Sequence, residues 1–93
     1  MSCTTSTSIA LSTANLATIG FTLISTTPTT QLYRFQQYDM LIDTLTNKVT
    51  VIYGTFNNPL SYIFVSIILN FQELKKYLVR NNVISATFSE NNC

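Results

Sequence analysis

Several runs of this chain alternate apolar and polar side chains with a period of two, which predicts extended strands. Tyr33 and Phe35 share one face, with Leu32 and Arg34 on the other. Tyr38, Met40 and Ile42 alternate with Asp39, Leu41 and Asp43. Val49, Val51 and Tyr53 alternate with Thr50 and Ile52. Between these last two runs lies Thr44–Lys48, where Asn47 tolerates the left-handed backbone that hairpin loops require. This is the clearest hairpin in the chain. Upstream, the Thr-rich stretch Thr22–Gln36 contains Pro28, which cannot donate to a sheet ladder and so marks an edge or a break. Asn57, Asn58 and Pro59 form a turn cluster within Gly54–Pro59.

The most apolar run is Ser61–Leu69. Strict alternation puts Ile63, Val65, Ile67 and Leu69 on one face and Tyr62, Phe64 and Ile68 on the other, with only Ser66 polar. A half-exposed strand alternates more cleanly. This strand is therefore expected to be central and covered on both sides, or to meet a partner with its second face.

Two segments follow a helical pattern. The first is placed near 9–19, capped by Ser8 or Ser12. Thr13, Asn15 and Thr18 are poor helix formers, and a strand here is the alternative reading. Its end is better specified than its body: Gly20 suits the left-handed position, and Leu16 and Phe21 make the apolar pair of a Schellman ending. In the second helix Asn70 is a cap residue and Glu73 stands three positions later, the spacing of a capping box. Phe71, Leu74 and Leu78 form its apolar stripe, with Tyr77 beside it. Asn81 or Asn82 ends it in place of glycine. Val83–Phe88 is expected to add a last short strand. Residues 1–8 form a Ser/Thr tract expected to be disordered, and 89–93 a frayed tail. The whole predicts one α+β domain over 9–88, an antiparallel sheet of four to five strands with two helices packed on one face.

Composition narrows the chemistry. The chain of 93 residues has no histidine, and its acids are Asp39, Asp43, Glu73 and Glu90. Charged residues make up 10% of the chain, against a usual share of about 25%. Most acid–base, nucleophilic and metal chemistry draws on the missing side chains. Asp39 and Asp43 lie four apart in a strand, about 13 Å, too far to share a proton or to act as a retaining-glycosidase pair. Their simplest role is on a solvated strand face, pairing with Arg34 or Lys48. Cys3 has no imidazole to activate it. Two cysteines without histidine do not complete a zinc site, although a disulfide between the ends would join Cys3 to Cys93. With only Gly20 and Gly54 there is no phosphate-cradling loop. These absences point to a protein that is not an enzyme and needs no cofactor.

The remaining readings concern surfaces. Aromatics are enriched and charges depleted at interface cores, so Tyr62, Phe64 and Ile68 are the candidate interface. A net charge of +1 gives little colloidal repulsion, and a homodimer or a protein partner, engaged through this sheet face or an edge strand, is expected. The alternative is a small nucleic-acid-binding domain using Arg34, Lys75, Lys76 and Arg80 together with exposed tyrosines. So few cations release few counterions, which weakens that reading. No basic start precedes an apolar stretch, and Leu60–Phe71 is shorter than the ~20 residues of a spanning helix. A cytoplasmic protein without a membrane span is the expectation. The Thr/Asn/Ser-rich, charge-poor make-up is of the kind met in viral and other mobile-element proteins.

Overall fold

A computed structural model describes residues 9–85. The described chain runs α1 (Thr13–Ala17), β1 (Thr22–Thr26), β2 (Thr30–Phe35), β3 (Tyr38–Asp43), β4 (Lys48–Thr55), β5 (Asn58–Ile67) and α2 (Phe71–Arg80). The strands form one antiparallel sheet in the order β1-β2-β3-β4-β5. Each strand therefore pairs with its neighbour in sequence, as short connections require. The result is a five-stranded α+β layout, at the upper end of the expected strand count.

Local chemistry explains the turns. Between β3 and β4, Asn47 takes φ 62°, and the Asp43 carboxylate accepts from the backbone N–H groups of Leu45 (2.9 Å) and Thr46 (3.3 Å). The same carboxylate that closes the strand thus also ties down its loop. Pro28 sits in the connection between β1 and β2, where it interrupts no ladder. The β2–β3 connection has only two residues, and Gln36 carries the positive φ of 55°. No glycine or asparagine marks that turn. It is fixed by pairing on either side, Phe35 opposite Tyr38 and Arg34 opposite Asp39.

The first helix is shorter than the span 9–19 expected from sequence. Its poor formers limit it to Thr13–Ala17, with the Ser12 hydroxyl accepting from the Asn15 N–H. Its end is the predicted one. Gly20 has φ 104°, the Phe21 N–H donates to the Leu16 carbonyl at 3.1 Å, and the Gly20 N–H to that of Ala17 at 3.1 Å. Leu16 and Phe21 are both buried, so the apolar clasp of a Schellman motif is made. At α2 the same device recurs with Asn82 (φ 61°) in glycine's place. The Val83 N–H reaches the Leu78 carbonyl (2.8 Å) and the Asn82 N–H that of Val79 (3.0 Å). At its other end, the Asn70 side chain accepts from the Glu73 N–H at 2.8 Å. The Glu73 carboxylate in turn accepts from Leu69 N–H at 3.4 Å, one residue before the expected capping-box partner.

One hydrophobic core joins Leu16, Ile19 and Phe21, the sheet residues Tyr33, Met40, Ile42, Val49 and Val51, and the helix residues Phe71, Leu74 and Leu78. Tyr33, though buried, keeps its hydroxyl satisfied: it donates to the Gln31 side chain and meets the Thr13 hydroxyl, both at 2.9 Å. Val83 and Ile84 also enter this core, but residues 83–85 adopt no strand. Of the expected last strand, 86–88 lie outside the described residues. So do the 1–8 tract, the 89–93 tail, Cys3 and Cys93.

Candidate functional site

The strand β5 lies at the edge of the sheet, so among the described residues no strand borders its outer side. It is ten residues long and carries no charge. Its first half is irregular. Val51 pairs with Phe64, but the next residue, Ile52, pairs with Tyr62, so Ile63 is an extra residue. Likewise Tyr53 pairs with Ser61 and Gly54 with Pro59, which leaves Leu60 extra. Bulges of this kind bend the strand and shift its alternation.

The bulge at Ile63 separates the three residues that strict alternation groups together. Phe64, Ser66 and Ile68 point to the core side: Ile68 is fully buried and Phe64 packs against the core. The Phe64 ring lies 5.2 Å from that of Tyr77, and the Ser66 hydroxyl donates to the Tyr77 hydroxyl at 3.1 Å. Tyr62, placed beyond the bulge opposite Ile52, is instead 66% exposed. The expected grouping of Tyr62, Phe64 and Ile68 on one face is thereby corrected. The outward side chains of β5 are Leu60 (64% exposed), Tyr62, Val65 (48%) and Ile67 (54%), continued by Leu69 (67%). The sequence pattern set Val65 and Ile67 on the face opposite to Tyr62. The structure exposes all three.

Next to this edge, the same side of the sheet carries a threonine and then two leucines. Val65 pairs with Thr50, Thr50 with Leu41 and Leu41 with Leu32. Leu41 and Leu32 are partly buried. One level along, Ile52 is fully buried beside Asp39, which is 1% exposed. The expectation of a solvated strand face for Asp39 is thus overturned. Its carboxylate takes a side-on pair from Arg34, Nε to Oδ1 at 2.8 Å and Nη2 to Oδ2 at 3.2 Å, and the Phe56 N–H donates at 3.4 Å. These donors replace the water that burial removes. The hydrogen bond and then the charge of Asp39 hold the Arg34 guanidinium above its ordinary pKa. A depression of about 330 Å³ adjoins the pair, lined also by Gln37, Tyr53, Thr55 and Leu60.

The four candidate cations do not form one constellation. Arg34 is on β2 and committed to Asp39, whereas Lys75, Lys76 and Arg80 are on α2. Lys75 Nζ sits 5.0 Å from the Phe71 ring centroid, and the Arg80 guanidinium 5.6 Å from that of Tyr77. Cations over aromatic faces gain electrostatically from the ring quadrupole, so these two already have partners on their own helix. Among the described residues no group of three or more Cys, Asp or Glu comes together, and no helix is long and apolar enough to cross a membrane.

The exposed strand was half legible. Its apolar character is plain in the sequence, and its lack of charge is a signal for an unprotected edge. Which side chains face outward depends on two extra residues that no local motif announces. Comparison of the chain with protein families, curated proteins and solved structures gives no significant match, so the functional reading rests on this geometry.

Proposed function

We propose that this is a non-enzymatic protein-interaction module that engages its partner through β5. The observation that carries this reading is a ten-residue edge strand without a charge that exposes Leu60, Tyr62, Val65 and Ile67. Edge strands usually carry charges, prolines or bulges that discourage pairing. Here Pro59 and both bulges fall within Asn58–Ile63, and Phe64–Ile67 is left regular and bare. On this reading both helices lie over the Met40/Val51 side of the sheet, and the Val65/Leu41/Leu32 side stays open beside the edge. Such a site suits strand addition: main-chain bonds to the edge give affinity and the outward side chains give selectivity. The exposed parts of Val65 and Ile67 would add about 1 kcal/mol each on burial.

Selection from a displayed library of random peptides tests the reading. Enriched sequences should be rich in β-branched and aromatic residues, and should lose binding to the Val65→Lys/Ile67→Lys protein while the far-UV circular dichroism of that variant stays native. The reading fails if no peptide is enriched and the protein is also monomeric, or if enriched peptides bind the double variant equally. The nucleic-acid alternative has less support, because Arg34, Lys75 and Arg80 are engaged within the fold.

A further inference from the structure

We infer that the partner of β5 is a second copy of this chain, paired antiparallel across a two-fold axis that passes through Phe64–Ile67. The inference rests on the reading that β5 is the binding edge, and adds the identity of what binds there.

Three observations lead to it. The first is charge. A two-fold contact sets a patch against itself, so any single-signed charge on it meets a like charge. Asn58–Ile67 has none, and it therefore meets its own copy without repulsion. The second is the contrast between the two edges of the sheet. A neighbouring copy offers β1 or β5. β1 has half the length, mostly exposed Ser and Thr side chains, and an irregularity between Leu23 and Ser25. Of the two described edges, β5 alone matches β5 in length and apolarity. Pairing β5 with β1 of the next copy would also be heterologous, giving a larger ring if the rotation happens to close and an open filament if it does not, whereas β5 with β5 closes at two. The third is where the irregularities fall. The bulges at Leu60 and Ile63 and the Pro59 ring disturb the first half of the strand. An axis within Phe64–Ile67 places the regular half of one copy against the regular half of the other. The two sheets would then join into one of ten strands, with Val65 and Ile67 of both copies side by side on its open face.

Light scattering, together with cysteine pairing in a Cys3→Ser/Cys93→Ser background, tests this. The expected result is a dimer that does not grow with concentration. Single cysteines introduced between Phe64 and Ile67 should cross-link between copies only in pairs whose residue numbers add to one constant, the signature of an antiparallel two-fold. Val65→Lys should give a folded monomer, and Tyr62→Lys, further from the axis, a dimer weakened by tenfold or more. Oligomers that lengthen with concentration would overturn the inference in favour of β5–β1 pairing. So would a dimer that survives Val65→Lys, or cross-links that obey no constant sum. A monomeric wild-type protein that still enriches strand-like peptides also overturns it, while leaving the binding edge intact. A monomer that enriches none removes both.

Discussion

The neighbouring strands β4 and β5 are alike in apolar content and unlike in fate. Val49, Val51 and Ile52 of β4 are fully buried, whereas Leu60, Tyr62, Val65 and Ile67 of β5 are about half to two-thirds exposed. Hydrophobicity does not explain the difference, since β5 is the more uniformly apolar of the two. Position does. β4 has a strand on each side, core residues beneath it, and Ile52 closed over beside the Arg34–Asp39 pair. Among the described residues β5 has one neighbouring strand, and it carries two bulges. Nothing among the described residues covers its outward apolar side chains, and the proposed binding role of β5 rests on that exposure.

Substitutions can break that contrast or sharpen it. The largest effect is expected from a charge at matched sites. Val51→Asp buries an unpaired carboxylate and should abolish the cooperative unfolding transition, whereas Val65→Asp should leave far-UV circular dichroism native. Equal damage at both sites would mean that β5 is core after all. Next in size is truncation. Ile52→Ala should cost about 2–5 kcal/mol in denaturant unfolding, against about 0.5 kcal/mol or less for Ile67→Ala at dilutions where the chain is monomeric.

The two helix ends give a smaller, parallel contrast. A Cβ on Gly20 would lie 2.6 Å from Phe35 Cε1, in a backbone with φ 104°. Gly20→Ala should therefore lower stability by more than about 1 kcal/mol. Asn82→Gly, at an equivalent left-handed site, should change it by less than that. Asn70→Ala should cost about 1 kcal/mol through the lost cap on Glu73. The smallest expected effect is that of pH on the Arg34–Asp39 pair from the arginine side. A raised folded-state pKa gives stability that is fully present below the ordinary arginine value and lost only as pH climbs through the higher one. Thermal melts between neutral and mildly alkaline pH should show no step from this group.

Much of the architecture was legible because local chemistry decides it. Gly20 with Leu16 and Phe21, Asn47 in its loop, and Asn70 with Glu73 each perform a role set by their own side chain and nearest neighbours. The faces of β3 and β4 followed from unbroken alternation. The Gln36–Gln37 turn was not legible, because glutamine has no left-handed preference and the conformation is imposed by strands pairing on both sides. The burial of Asp39 was also out of reach, since it needs Arg34 opposite and the Phe56 N–H from a later turn. The candidate surface shows the same division. That Ser61–Leu69 is apolar enough to need covering could be read directly, but the sorting of Tyr62 away from Phe64 and Ile68 could not.

Where the helices end, where the chain turns at asparagine and proline, and the lack of imidazole chemistry all follow from the order of residues, because each depends on the side chains present and on contacts a few residues apart. Which apolar strand is inside and which side chains of β5 look outward are settled by packing between elements distant in the chain. Strand order and the two bulges are set by pairing energy summed along β4 and β5 together, and one extra residue in a two-residue alternation is enough to turn a side chain from the core to the surface.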